Sequence, residues 1–312
     1  MYPQWKLLPL AHLGVLRARG RDVVAFLQGQ LSADLAALTR ERSLLAGCHN
    51  PQGRVLALMR LFEREPGEVL ALLPRELIGP IVARLRGFVL RSRVELTDES
   101  AAWRIEGLVG PDTPAEPAPA FAPQLPQAPG AVLEAAEARV ARVDSNPPRW
   151  LIVSSAAAVP GDALPGLAEC APADSALWQR LAVAHGQPEV YAATSGEFVA
   201  QMLNLDVLGA IAFDKGCYTG QEVIARAHYR GRVKRRLRRF GSAVPLPLAV
   251  GAAGTLADGR SVRIVEVAPA EGGGCEFLAV APSETAPGEP PAAAATLRLE
   301  ATPLPLPYEL PE

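Results

Sequence analysis

The residue of this chain most suited to chemistry is Cys217, in the segment Lys215–Glu222, which reads Lys-Gly-Cys-Tyr-Thr-Gly-Gln-Glu. Thr219 and Glu222 have the spacing of a capping box and precede an apolar run, which predicts that a helix begins at Thr219. Cys217 then lies near a helix N-terminus, where free amides and the helix dipole favour an anion. We expect a reactive thiolate with a lowered pKa, assisted by the charge of Lys215.

The residues alone leave a second interpretation of Cys217 open. A lone cysteine is more often a small buried apolar residue than a reactive one, so the thiol can be structural. A cysteine hydrolase would also need a histidine base beside the thiol. The sequence places none of the four histidines there, since His228 lies about three turns along the predicted helix. We therefore give hydrolysis little weight.

The elements that position this segment follow from hydrophobic patterns. Apolar runs at Leu44–Cys48 and Val55–Phe62 flank the turn Asn50–Gly53 and predict a β-hairpin. Helices are predicted from Pro74 to about Leu85 and from Asp174 to about His185. Strands and helices mixed in this way indicate an α+β fold.

The residue pattern of the sequence changes after about Arg239, where short β-like runs alternate with Gly and Pro turns about every ten residues. This pattern predicts a small β-barrel, so we place a domain boundary near 238–242. The resulting domains are 1–240 and 241–312. Residues 111–130 are rich in Pro and Ala and are predicted to form a solvated loop.

Composition excludes several classes of protein. The chain has 312 residues and a formal charge of -2, so we do not expect a protein whose whole surface binds nucleic acid. It has four cysteines without a CxxC pair, so a zinc ribbon is not expected either. We predict no metal site. No signal peptide or run of eighteen apolar residues is present, so we expect a cytoplasmic protein without a membrane span. No phosphate-binding glycine loop is found.

The residues around Cys217 resemble the YgfZ family of folate-binding proteins. The Lys-Gly-Cys-Tyr-x-Gly-Gln-Glu signature is long and specific, and the resemblance extends along the chain. The other matching stretches are Phe26–Gln30, Ser32–Asp34, Trp178 with Gly186 and Pro188, Thr194–Phe198, Asn204-Leu205 and Pro305–Tyr308.

This resemblance implies a fold like that of the glycine-cleavage T protein, with two intertwined α+β units around a folate pocket and a C-terminal β-barrel. The units would be roughly 1–50 with 140–240, and 51–139. The resemblance also implies tetrahydrofolate binding and support of iron–sulfur enzymes, including radical enzymes that thiolate tRNA. It places the functional thiol at Cys217, next to Lys215.

The implied folate contacts are Trp178, Leu13, Tyr218, Gln221 and Arg226. Leu13 stands where the family has a second pocket tryptophan, and Ala184 stands where relatives have a carboxylate. No catalytic aspartate follows the hairpin turn, because residues 53–58 read Gly-Arg-Val-Leu-Ala-Leu. We therefore predict a folate-binding accessory protein. The alternatives are a folate-dependent aminomethyltransferase and a non-catalytic interaction module in which Cys217 is structural.

The stretch Arg226–Arg239 carries eight basic residues. Such a run can pair with tRNA phosphates or with the polyglutamate tail of a folate. Runs of like charge more often form a solvated face, and Tyr229 is the only aromatic residue within the run. A contact with tRNA or another anion is therefore a secondary prediction.

Overall fold

The computed structural model describes residues 4–111, 118–135, 138–159, 164–231, 233–282 and 297–311. Within these ranges the chain has a mixed α/β fold with many short strands and few helices, and no helix there has the length and apolarity to cross a bilayer. The α-helices are α1 (Val23–Gln28), α2 (Arg75–Arg86), α3 (Ser175–Ala184) and α4 (Gln221–Tyr229). The strands are β1 (Lys6–Pro9), β2 (Leu13–Arg19), β3 (Leu44–His49), β4 (Val55–Glu65), β5 (Glu68–Pro74), β6 (Glu95–Asp98), β7 (Trp103–Val109), β8 (Val132–Ala135), β9 (Ala138–Ser145), β10 (Pro148–Ser155), β11 (Ala171–Pro172), β12 (Arg235–Ser242), β13 (Ala253–Leu256), β14 (Ser261–Pro269), β15 (Cys275–Pro282), β16 (Leu297–Leu299) and β17 (Thr302–Leu304).

The chain divides into two compact units whose segments alternate along the sequence. The first unit consists of Met1–Gln30, Asp34–Ala46 and Met59–Ser175. The second consists of Leu31–Ala33, Gly47–Leu58 and Ala176–Glu312. Cys217 and its motif belong to the second unit. The domain boundaries predicted from the sequence stay a prediction.

The first unit is built on β-sheet. One six-stranded sheet has the order β11-β1-β7-β10-β9-β8, and a five-stranded sheet has the order β3-β4-β5-β2-β6, of which β5, β2 and β6 lie wholly in this unit. The buried residues of α2 are Leu77, Ile78, Ile81, Val82 and Leu85, whose helical spacing gives one apolar face, and the helix packs against β2 and β6. The predicted hairpin and the helix after Pro74 are both confirmed.

Part of the Pro- and Ala-rich stretch 111–130 belongs to the core of this unit. Residues 112–117 lie outside the described residues. Beyond them, Phe121 and Leu125 are buried and pack with Trp150 on β10. The apolar side chains therefore order the second half of a stretch that composition alone had predicted to be a solvated loop.

The second unit contains a six-stranded sheet with the order β16-β13-β14-β15-β12-β17. Its two edge strands are joined by only Glu300 and Ala301, which span about 10 Å at most, whereas six flat strands would be about 24 Å wide. The sheet must therefore curl until its edges approach each other. Its inner face buries Phe240, Ile264 and Phe277 in one apolar core. The sequence predicted a small C-terminal β-barrel, and the structure shows a curled half-barrel sheet, whose first strand begins at Arg235.

Candidate functional site

Two tight turns of the second unit frame the motif segment. In the first, Gly53 N donates to Asn50 O at 2.9 Å, which closes the hairpin between β3 and β4. In the second, Gln221 N donates to Tyr218 O at 3.2 Å immediately before α4. Both turns need a glycine, because Gly53 and Gly220 have φ values of 71° and 84°.

The two turns approach each other closely through backbone atoms. A Cβ atom on Gly220 would lie 2.5 Å from Asn50 O and 3.0 Å from Gly53 Cα. A Cβ atom on Gly53 would lie 3.0 Å from Cβ of Val223 on α4. No other residue type fits at Gly220 without displacing the hairpin. The last signature glycine therefore fixes the start of α4 against the hairpin tip.

This arrangement corrects the predicted capping box. The helix begins at Gln221, the N-cap is Gly220, and no side chain makes a capping hydrogen bond. Thr219 instead occupies the second position of the turn, where the chain is not yet helical. Cys217 consequently lies four residues before the first helical residue. The dipole of α4, which acts within about one turn, therefore contributes less at the thiol than the sequence suggested.

A buried serine holds the chain that leads into the motif. Ser32 is fully buried, donates from Oγ to Ala210 O at 2.6 Å, and accepts at Oγ from Gly47 N at 2.9 Å. Its backbone oxygen accepts from Ala212 N at 2.9 Å. The short segment Leu31–Ala33 thus joins the end of β3 to the residues just before the motif.

Lys215 is anchored to the same segment. Its Nζ atom donates to Leu31 O and Ala33 O, each at 2.7 Å, and lies 5.1 Å from the ring centroid of Tyr218. The ammonium group satisfies two carbonyl oxygens that lie among buried side chains. These contacts give Lys215 a positioning role: it ties the motif to the hairpin. The catalytic role suggested by the sequence stays a prediction.

Cys217 stands out among the cysteines by its exposure. All four cysteines lie in the described part of the chain, and of them Cys217 is exposed, Cys170 is half-buried, and Cys48 and Cys275 are buried. Gly216 beside it has open space where a side chain would be. The turn and the lysine anchor therefore present one thiol at the surface, which excludes a purely packing role for it.

Tyr218 points the other way, into the unit. It is buried, burial raises its pKa to about 12, and its ring centroid is 6.3 Å from that of His49. His49 is itself buried, and burial lowers its pKa to about 4, so this histidine is neutral at physiological pH. A neutral, buried imidazole under the motif indicates a structural role for His49.

The remaining predicted folate contacts are dispersed. Trp178 is buried on the apolar face of α3, in the same unit as Cys217, whereas Leu13 opens β2 in the first unit. Gln221 is half-buried, and its amide donates to Lys215 O at 3.4 Å, while Arg226 is exposed on α4. The geometry thus joins Gln221 to Lys215 in the motif. The folate roles of all these residues stay predictions.

The motif Thr194–Phe198 pairs with the first residues of β4. Val55 N donates to Phe198 O and Gly196 N donates to Val55 O, each at 2.8 Å. Arg54, which directly follows the hairpin turn, donates to Glu197 O. The motif Thr194–Phe198 is therefore explained by its backbone hydrogen bonds with β4. Residues 53–58 contain no carboxylate.

A buried polar network, which the sequence reasoning missed, links the motif region to the C-terminal tail. Asn204 has a positive φ of 56°, and its amide donates to Leu237 O at 3.0 Å and to Tyr308 Oη at 3.3 Å. Tyr308 Oη donates in turn to Gly186 O at 2.7 Å. Asn204 and Tyr308 both occur in stretches that match the family. The sequence signal for Asn204 was the residue type itself, because asparagine adopts positive φ more often than most residues.

The basic run Arg226–Arg239 separates into two parts. On β12, Arg236 pairs with Asp206 at 2.8 Å with both side chains buried, and Arg239 pairs with Glu276 at 2.6 Å. These arginines stabilise the sheet and are not available to a ligand. Arg226 and Arg230 remain exposed at α4, as does Lys234, whereas Arg232 lies outside the described residues.

An aromatic cluster accompanies the exposed part. Phe213 and His228 are stacked with their ring centroids 3.8 Å apart, and Tyr229 packs edge-on against His228 at 4.7 Å. Tyr229 is 68 % exposed. Phe213 comes from the chain before the motif, so the sequence run alone could not reveal that three aromatic rings gather beside the arginines of α4.

Comparison with known proteins gives a consistent picture. No family model matches the chain. It is 35 % identical over 234 residues to the tRNA-modifying protein YgfZ of Serratia proteamaculans, covering 74 % of this chain and 69 % of that protein. It is 33 % identical over 247 residues to the protein of the same name from Escherichia coli, covering 78 % and 74 %. In fold it is similar to the glycine cleavage system aminomethyltransferase T of Bartonella henselae, with a TM-score of 0.70 at 14 % identity, covering 90 % of this chain and 79 % of that one.

The exposure of the cysteines predicts how a thiol reagent labels the native protein. Cys217 should react first near neutral pH. Cys170 should react slowly there and faster as the pH rises, because burial and the nearby Glu169 raise its pKa to about 11. Cys48 and Cys275 should react only on unfolding. Mass spectrometry after timed alkylation checks this order, with Cys170→Ser as the control that keeps the fast phase. A fast phase that survives in Cys217→Ser would contradict it.

Proposed function

Since the chain belongs to the YgfZ family, we propose that it is a tetrahydrofolate-binding accessory protein of tRNA modification, which supports iron–sulfur enzymes through the thiol of Cys217. One observation carries this proposal: the signature places a single exposed cysteine on a segment held by two glycine turns and by Lys215. An exposed thiol on a rigid support can reach a partner protein without a large rearrangement of the chain.

The folate part of the proposal rests on the family resemblance and on the apolar character of the residues assigned to the ligand. Trp178 supplies an aromatic ring on α3, although its side chain is only 5 % exposed. A pterin that stacks on it must therefore enter the interior. Ala184 offers no carboxylate for hydrogen bonds to the pterin, so the residues fit the aromatic part of a folate better than its polar edge.

Tetrahydrofolate should quench the tryptophan fluorescence of the native protein, and Trp178→Phe should remove most of that quenching. The matched control is Trp103→Phe, because Trp103 lies on β7 in the first unit. Its removal should leave the quenching in place. No quenching at millimolar tetrahydrofolate, or equal quenching in the native protein and Trp178→Phe, would reject the assignment of Trp178.

The proposed action of Cys217 follows from thiol chemistry. A thiolate is a soft metal ligand and a good nucleophile, so it can coordinate iron or take the outer sulfur of a persulfide, whose own thiolate then leaves. Because Cys217 is exposed, both roles can be carried out on a partner enzyme. The residues 53–58, where the transferase relatives carry their aspartate, are without a carboxylate, so we propose no aminomethyl transfer.

In cells that lack the homologous protein, the native chain should restore thiolated tRNA, and Cys217→Ala should not. Since Cys217 is exposed, the variant should fold normally. Cys170→Ala is the control and should restore thiolation. The readout is the thiolated nucleoside content of bulk tRNA by mass spectrometry. Full restoration by Cys217→Ala would show that the thiol is dispensable.

We also propose that the exposed end of α4 contacts RNA. Arg226 and Arg230 can pair with phosphates, and the exposed ring of Tyr229, backed by the Phe213–His228 stack, can stack on an unpaired base. Arginines beside exposed aromatic rings are the usual composition of surfaces that bind single-stranded nucleic acid.

Replacing Arg226 and Arg230 together by Gln should weaken binding to bulk tRNA and lower the salt slope of log Kd by about 1 to 2, since about two phosphate contacts are lost. Tyr229→Ala should weaken binding without changing the slope. Arg91→Gln, at an exposed arginine of the first unit, is the control. Filter binding across salt concentrations measures both quantities. Unchanged affinity and slope in the double variant would refute this surface.

A further inference from the structure

The curled sheet of the second unit contains a cavity that is lined by none of the residues assigned to the proposed folate contacts or to the RNA-binding end of α4. Its volume is about 460 Å³, within the range of pockets that hold small molecules. It is lined by Arg238–Phe240 of β12, by Arg260 of the turn before β14, and by Pro303–Leu306, Tyr308 and Leu310 of the C-terminal tail. The mouths of β-barrels are common ligand sites.

Three arginines line this cavity, and two of them are neutralised. Arg239 donates from Nε and Nη2 to Glu276 Oε2 at 2.9 and 2.6 Å. Arg260 donates from Nε to Asp258 Oδ2 at 2.7 Å. Arg238 has no carboxylate within ion-pair distance among the described residues. Its charge is therefore the one that a ligand would be expected to neutralise.

Two guanidinium nitrogens near the cavity are out of reach of a ligand. Arg238 Nε and Arg260 Nη1 are shielded from solvent and have no acceptor among the described residues. A ligand in the cavity would therefore be held by the terminal nitrogens of Arg238. On β12, Arg238 lies on the same face as Phe240, which packs into the core of the sheet. The guanidinium thus enters the cavity side of the strand.

We propose that this cavity binds a small organic anion, with a carboxylate or a phosphate group held by Arg238. Apart from Arg239, Arg260 and Tyr308, the rest of the wall is largely apolar, because the tail supplies Pro303, Leu304 and Leu306 beside Phe240. The ligand therefore carries its oxyanion on an apolar body. This site does not depend on the proposed folate and tRNA contacts. The tail that forms one wall is fixed by β17 and by the hydrogen bond from Tyr308 to Gly186.

The test is isothermal titration of the full chain with 4-phenylbutyrate and with phenyl phosphate, which separate the two oxyanions. At least one should bind saturably, and the neutral 4-phenylbutanamide should not. Arg238→Gln should weaken the binding by about tenfold or more, since a charged hydrogen bond is lost. Arg298→Gln, at an exposed arginine of β16, is the matched control and should bind like the native chain.

Equal affinity of the native chain and Arg238→Gln, binding of the amide as tight as that of the acid, or no binding of either probe would overturn the proposal.

A second measurement tests whether Arg238 has a structural role in folding instead. Arg238→Met loses no ion pair and should unfold at the same urea concentration as the native chain or a higher one, whereas Arg236→Met breaks a buried pair and should unfold earlier. Loss of stability in Arg238→Met as large as in Arg236→Met would show a structural role and contradict a ligand site.

Discussion

Contact between two glycines, Gly53 at the hairpin tip and Gly220 at the start of α4, is the constraint on which the site depends. Both residues have positive φ, and their turns approach so closely that a Cβ atom on Gly220 would meet backbone atoms. Because no side chain intervenes, the hairpin determines where α4 begins. The exposed Cys217, just before the turn, is thereby fixed in space, and Lys215 secures the other side of the thiol through two carbonyl groups.

The arginines of the second unit have two roles, in ion pairs of the fold and at surfaces open to anions, which composition alone does not distinguish. Several arginines of β12 form ion pairs that stabilise the fold, as in the buried pair of Arg236 and Asp206. Others, such as Arg226 and Arg230, stay exposed beside aromatic rings, and Arg238 lines a cavity and has no carboxylate partner in the described part of the chain. A chain with a formal charge of -2 can thus carry local sites for anions.

Local patterns gave the parts of the fold that depend on neighbours in sequence. The hairpin at Asn50–Gly53 and the helix after Pro74 follow from turn residues and apolar periodicity, and the structure confirms both. The capping box failed because the turn needs the positive φ of Gly220, which places the helix start one position after that glycine. A strand as basic as β12 was not predicted, since its arginines find carboxylates only after folding.

In the candidate site, too, only the features that depend on neighbours in sequence could be predicted. Cys217 and its exposure follow from the signature, and the flanking glycines gave a correct signal of a tight turn. The anchor of Lys215 on Leu31 and Ala33 joins residues about 180 positions apart, which no local pattern reveals. The same holds for Tyr308 and Gly186, more than a hundred positions apart. Long-range hydrogen bonds of this kind are properties of the folded chain and not of any sequence window.

The free energy of unfolding of Gly220→Ala in urea, compared with that of Gly216→Ala, tests the central constraint most directly. Gly220→Ala should lose about 2 kcal/mol or more, because alanine is strained at positive φ and its Cβ atom meets Asn50 O. Gly216→Ala should stay within about 0.5 kcal/mol of the native chain, since its Cβ atom would meet open space. Equal stability of the two variants would contradict the account, because the two turns would then not be held together by Gly220.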